Sequence, residues 1–206
     1  MPAKRPVIFW DVDTQVDFIS PDGKLYVPGA EKLIPNWKRL TDFAARQGIL
    51  VVGDVCAHHP DDEEFKVFPP HCLAGTPGQQ KIPETILPRQ HLIPNRMVEL
   101  RRDLSAYQQV ILEKQTLDVF SNPNADDLLR LLDPKPEVVV YGVVTECCVD
   151  LVARGLLERG YRVRLVTDAT RHWDEQKAQA TLKLVEEKGE LITTDQALAD
   201  YAQGRR

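Results

Sequence analysis

The chain has 206 residues and a mass of 23.4 kDa, with 43% hydrophobic and 28% charged residues, a balance that fits one globular domain over 1–206 with a full core. Its net charge of -5 and pI near 5.6 provide no basic field to gather a polyanion, so a small-molecule partner is expected and nucleic acid is not. No apolar run approaches the roughly 18 residues of a membrane span and no leader pattern is evident, so a cytoplasmic protein that does not engage membranes is expected.

In chain order, a Val- and Ile-rich run at Pro6 to Val12 predicts a first strand, and Ala30 to Gln47 a helix that stops at Gly48. A second strand is predicted from Gly48 to Asp54. The stretch from about 58 to 97 then breaks the rhythm: it is dense in proline, carries aromatic and His residues, and has no clear periodicity. A loop of that length in a compact domain points to an insertion that covers a site. Strands follow at Val110 to Lys114, Val138 to Val143, Arg162 to Thr167 and Leu191 to Thr193, alternating with helices at Asn124 to Leu132, Glu146 to Arg159, Asp174 to Glu187 and Asp195 to Ala202. Nearly continuous apolar strands suit burial on both faces. The expected fold is therefore a doubly wound α/β domain, a mostly parallel six-stranded sheet with helices on both faces and its reactive residues at the carboxyl ends of the strands.

Three chemically capable residues fall at such ends: Asp13 after the first strand, Lys114 closing the third and Cys148 just after the fourth. A parallel sheet brings them together. Cys148 stands where a strand turns into a helix, and amide donors with the helix dipole are expected to stabilise a thiolate that alkylates well below the ordinary thiol value of about 8.5. By residue type alone a small buried Cys at such a junction is as readily packing, and Asp13 with Lys114 is as readily a structural ion pair. The four cysteines include the adjacent Cys147 and Cys148, which is not the spacing of a disulfide framework, so free thiols or ligands are expected.

The segment Phe9-Trp10-Asp11-Val12-Asp13-Thr14-Gln15-Val16-Asp17-Phe18 resembles the opening strand and D-x-Q-x-D-F signature of isochorismatase-like cysteine hydrolases, a Rossmann-like family that includes nicotinamidases. Gly142 to Val149 is similar to that family's G-V-x-T-x-x-C-V nucleophile turn, and Lys114 followed by Phe120-Ser121 resembles its Lys segment. The resemblance implies that Cys148 attacks an amide carbonyl, that Asp13 takes the thiol proton and passes one to the departing ammonia or amine, and that Lys114 stabilises the charges. It further implies an oxyanion hole of backbone amides at Val144 and Cys148, beside a non-proline cis bond between Val143 and Val144. Nicotinamide is the leading substrate, and N-carbamoyl or ureido compounds, vinyl-ether cleavage of the isochorismatase type, or an inactive binding member are the alternatives. No organic cofactor is implied, and a homodimer or homotetramer is.

The segment Asp54-Val55-Cys56-Ala57-His58-His59, with His71 further on, resembles the nicotinamidase metal loop, in which Asp-x-His and a later His hold a divalent ion. The match places Cys56 where the family has Asp, so the implied ligands are Cys56, His58 and His71, with Asp54 as the alternative to Cys56. A thiolate in the set favours Zn over Mn or Mg. Phe18 and Phe68 are candidate pocket walls, and the acidic run Asp61 to Glu64 reads as a solvated face. Cys72 and Cys147 are given no role.

Overall fold

The computed structural model describes residues 6–202. Among the described residues, seven strands form one parallel sheet: β1 (Val7–Val12), β2 (Val51–Cys56), β3 (Gln90–Ile93), β4 (Gln109–Lys114), β5 (Glu137–Val143), β6 (Arg162–Arg171) and β7 (Glu190–Ile192). Their order across the sheet is β3-β4-β2-β1-β5-β6-β7 and every adjacent pair is parallel. The sheet thus has one strand more than the six expected. The addition is β3, a four-residue edge strand inside the stretch read as irregular. It was hidden because its burial pattern, exposed, half-exposed, exposed, buried, gives no apolar run to detect.

The principal helices are α1 (Val16–Ile19), α2 (Ile34–Gln47), α3 (Ala125–Leu131), α4 (Asp150–Glu158), α5 (Glu175–Lys188) and α6 (Thr194–Ala202). Alternation along β1 sends its side chains to two cores. Ile8, Trp10 and Val12 join a cluster with residues of α3 and α4, whereas Phe9 joins another with Trp37, Leu40 and Phe43 of α2 and Ala197 of α6. Helices therefore cover both faces of the sheet. Each large apolar side chain removed from water in these layers contributes about 1.5–3 kcal/mol.

One boundary difference matters near the carboxyl edge. The predicted helix at Glu146 to Arg159 begins instead as a five-residue π turn, Thr145–Val149, in which Val149 N–H donates to the Val144 carbonyl at 3.1 Å, and only then becomes α4. Wide turns of this kind re-aim side chains and recur at functional sites. Just before it, Gly142 has φ +122°, and a Cβ there would lie 2.0 Å from the Val12 carbonyl oxygen. Only glycine lets β5 approach β1 this closely, at the point where its register with β6 shifts between Val140 and Gly142.

The segment from 58 to 97 is folded back over this edge rather than left free. It is built from 3-10 turns at Glu63–Lys66, Pro77–Gln79 and Pro83–Thr85 before reaching β3. Gln15 and Lys81 form an antiparallel bridge, and Lys81 Nζ donates to Asp11 Oδ2 at 2.9 Å and Thr14 Oγ1 at 2.7 Å. A buried ion pair thus ties the cover to β1. Among the described residues no helix is long and apolar enough to cross a membrane.

Candidate active site

Asp13, Lys114 and Cys148, contributed by the ends of β1 and β4 and by the turn after β5, meet at the carboxyl edge of the sheet. All three are buried. Lys114 Nζ donates to Asp13 Oδ2 at 2.7 Å and to Asp54 Oδ2 at 2.5 Å, and the Cys148 thiol hydrogen-bonds to Asp13. Asp13 itself holds a left-handed φ of 47°, a conformation Asp tolerates better than most residues and one that points its carboxylate out of the strand line. Its N–H donates to the Asp54 carbonyl at 3.1 Å, which fixes the kink.

Burial raises Asp13 to about 6 even though the Lys114 charge opposes the rise, and Asp54 adds to it. Burial works against the Lys114 ammonium, but the carboxylates of Asp13 and Asp54 outweigh it and hold the group well above its ordinary value. Cys148 is pushed well above the ordinary thiol range by burial, with Lys114 pulling down and Asp13 pushing up. Burial thus favours the neutral thiol and opposes the thiolate expected from the turn's amides and the helix start. Asp13 is the carboxylate in contact with it.

The Val143–Val144 peptide bond is cis. The Val144 carbonyl accepts from the N–H groups of Cys147 and Val149, both at 3.1 Å, so the turn that carries Cys148 is closed on that residue. Glu146 in the same turn reaches outward, and its Oε1 accepts from Trp173 N–H at 3.0 Å and Asp174 N–H at 2.7 Å. Trp173 in turn lies over Phe68, with ring centroids 5.9 Å apart.

Cys56, His58 and His71 present their ligand atoms within 4.8 Å of one another, and all three are buried. The group adjoins the first cluster, since Cys56 Sγ lies 3.7 Å from Asp13 Oδ1. His58 Nδ1 is 2.9 Å from Asp62 Oδ2 and His71 Nδ1 is 2.9 Å from the Pro69 carbonyl, which turns both Nε2 atoms inward. Burial depresses both imidazoles, favouring the neutral form that carries a lone pair. The alternative ligand Asp54 is not part of this group. Its Oδ1 accepts from Trp10 Nε1 at 2.8 Å and its Oδ2 from Lys114, so both oxygens are committed to the charge cluster.

The acidic run is not a purely solvated face either. Glu64 turns inward so that its Oε1 stands 3.6 Å from the Nε2 of both His58 and His71, and burial raises it to about 7. Glu64 Oε1 and His58 Nε2 are buried without a hydrogen-bond partner, a costly arrangement that a cation among these atoms would relieve. Acidic side chains in a turn normally face solvent, and along the chain only the four-residue spacing of Asp62 from His58 hints otherwise.

Phe18 and Phe68 both reach His71, with ring centroids at 5.3 Å and 6.4 Å, so they border the imidazole group rather than stand apart from it. Phe65, unremarked in the sequence, packs at 5.1 Å from His58. Cys56, Cys72, Cys147 and Cys148 are all free thiols. Cys72 lies outside the imidazole group, its Sγ 3.8 Å from the Gly78 carbonyl, and burial raises Cys147 to about 11.

Comparison with known proteins gives a consistent picture. Residues 8–196 match the family described as Isochorismatase domain. The nicotinamidase of Saccharomyces cerevisiae is 29% identical over an alignment covering 78% of this chain and 85% of the yeast protein. A probable inactive nicotinamidase of Arabidopsis thaliana is 24% identical, over 77% of each chain. In three dimensions, a pyrazinamidase of Pyrococcus horikoshii solved in complex with zinc superimposes with a TM-score of 0.73 at 24% identity, covering 91% of this chain and 98% of that one.

Proposed function

We propose, since this chain belongs to the isochorismatase domain family and is a hydrolase acting on amide C-N bonds, that it hydrolyses nicotinamide to nicotinate and ammonia through a thioester on Cys148. The observation that carries the reading is the contact of Asp13 with both groups: its carboxylate meets the Cys148 thiol and Lys114 on one side and Cys56 Sγ on the other. A nucleophile, a cation and a ligand set thus share one carboxylate, the base.

In this mechanism Asp13 takes the thiol proton as sulfur attacks the carboxamide carbon. A base raised to about 6 is well matched to neutral pH, because it is ionised before the reaction yet holds a proton readily afterwards. Asp13 returns that proton to the departing nitrogen, releasing ammonia, and then activates the water that cleaves the thioester. Lys114 remains charged throughout and offsets the negative charge that passes between sulfur and carboxylate. Backbone N–H groups of Val144 and Cys148 would receive the carbonyl oxygen, a contribution of roughly 3 to 4 kcal/mol per donor where such donors are fixed in advance.

The donor set fits a divalent ion: the Cys56 sulfur, whose thiol is pushed up by burial and Asp13 so that an ion would have to displace its proton, two neutral imidazoles from His58 and His71, and the Glu64 oxygen that has no hydrogen-bond partner among the described residues. The sulfur favours zinc. When bound, the ion would supply Lewis acidity and an anchor for the ring nitrogen beside the nucleophile. Phe18 and Phe68 would flank the ring, and their apolar faces would keep bulk water from the thioester. Vinyl-ether cleavage needs no cysteine, and an inactive member needs no buried Asp-Lys-Cys contact, so the assembled group favours amide hydrolysis over both.

Ammonia release from nicotinamide by the wild-type protein, before and after metal stripping and with zinc restored, tests the reading. Release that is lost on stripping and regained with zinc is expected. Absence of release in the zinc-loaded protein would remove nicotinamide as the substrate.

A further inference from the structure

Asp13, Gln15 and Asp17 occupy alternate positions of one short segment, and the reaction just described uses only the first. The other two hold backbone on either side of the ligand group. Gln15 is fully buried. Its Nε2 donates to the Cys56 carbonyl at 2.8 Å and the Gln79 carbonyl at 2.6 Å, and its Oε1 accepts from Cys56 N–H at 2.7 Å. A single side-chain amide therefore fixes both backbone groups of Cys56 and ties them to the cover segment.

Asp17 does the same for the second half. Its Oδ2 accepts from Cys72 N–H at 2.6 Å and its Oδ1 from Lys24 N–H at 3.1 Å. Cys72 follows His71 directly and holds a left-handed φ of 43°, a conformation an L-residue with a side chain adopts only when its surroundings enforce it. The chain is shaped around this carboxylate: a Cβ on Gly78 would lie 2.3 Å from both Asp17 oxygens. Cys72 then passes the constraint to the remaining imidazole, because its carbonyl accepts from His58 N–H at 3.1 Å and the His58 carbonyl accepts from Ala74 N–H at 2.9 Å.

We infer that Gln15 and Asp17 are positioning residues for the metal ligands, Gln15 for Cys56 and Asp17 for His71 and, through Cys72, for His58. The inference rests on the reading that Cys56, His58 and His71 hold a divalent ion. Outer partners that orient ligands in this way typically change metal affinity by about 10- to 100-fold when removed. Neither residue needs to touch substrate or ion to do so.

The test is the zinc dissociation constant of the full chain, measured by competition with a chromophoric chelator, for wild type, Gln15→Met, Asp17→Asn and Cys56→Ala. It is paired with amide hydrogen exchange at Cys56 and Cys72 in the metal-free protein. Zinc binding weakened about 10- to 100-fold in Gln15→Met and Asp17→Asn is expected, with faster exchange at Cys56 in the first and at Cys72 in the second. A residue that only stabilises the fold would leave the affinity of the folded fraction unchanged. Variants that fold and bind zinc within about twofold of wild type would overturn the inference. Should Gln15→Met fail to fold, Gln15→Glu, which keeps the acceptor for Cys56 N–H and loses the two donated bonds, takes its place; should Asp17→Asn fail to fold, Asp17→Ser, which can keep at most one of the two accepted bonds, takes its place; each is expected to weaken zinc binding likewise. Wild type that binds zinc no more tightly than Cys56→Ala would remove the metal reading itself, and the inference with it; that failure is visible without either positioning variant.

Discussion

Lys114 Nζ stands 2.7 Å from Asp13 Oδ2 with both side chains shielded from water. The same ammonium also meets Asp54, so one cation balances two buried carboxylates. Removing it leaves both uncompensated in a dry site, the situation in which breaking a buried pair costs about 3–5 kcal/mol. Lys114→Met is expected to lower unfolding free energy by that order in urea titration and to abolish turnover. A midpoint like that of wild type would mean that water reaches the cluster.

The Cys148 thiol is held protonated chiefly by burial. Its reaction with iodoacetamide, followed on the Cys148 peptide in metal-free protein without substrate, is therefore expected to be slow at neutral pH and still rising above pH 9. A plateau below that value would show a standing thiolate and would remove the need for proton transfer to Asp13.

Turnover should report Asp13. The residue has to be ionised to accept the thiol proton, and burial has raised it to about 6, so kcat/KM is expected to fall roughly tenfold per pH unit below that value and to level off above it. The sign follows from the role: protonation on the acid side removes the base. An acid limb near the ordinary carboxylate value of about 4 would instead indicate a solvated group elsewhere.

Zinc should stabilise the fold as well as serve the reaction. A ligand that binds only the native state adds about 2.7 kcal/mol at one hundred times its dissociation constant. A rise in Tm on zinc addition is expected for wild type and is expected to vanish in His71→Ala, measured by scanning calorimetry. An equal rise in both would locate the binding elsewhere.

The parallel sheet was legible because β1, β2, β4 and β5 are buried on nearly every residue and so appear as continuous apolar runs. Asp13, Lys114 and Cys148 were legible for a related reason, since residues at the carboxyl ends of neighbouring parallel strands must approach one another. What escaped was set by tertiary contact. Edge strand β3 has a mostly exposed pattern, and Glu64 is drawn inward by two imidazoles that are distant from any apolar periodicity. Trp10 reads as core, yet its Nε1 orients Asp54 and so decides that this carboxylate serves Lys114 rather than the imidazole group. For Cys148, position at a helix start argues for a thiolate, whereas its burial beside carboxylates, invisible along the chain, argues against one.

The central claim, a thioester on Cys148, is tested most directly by acid-quenching the zinc-loaded enzyme during turnover of nicotinamide and mapping the adduct by peptide mass spectrometry. A nicotinoyl group on the peptide bearing Cys148, absent from Cys148→Ala and decaying when substrate is exhausted, is the predicted result. Ammonia release that continues in Cys148→Ala, or an adduct confined to any other residue, would contradict the account.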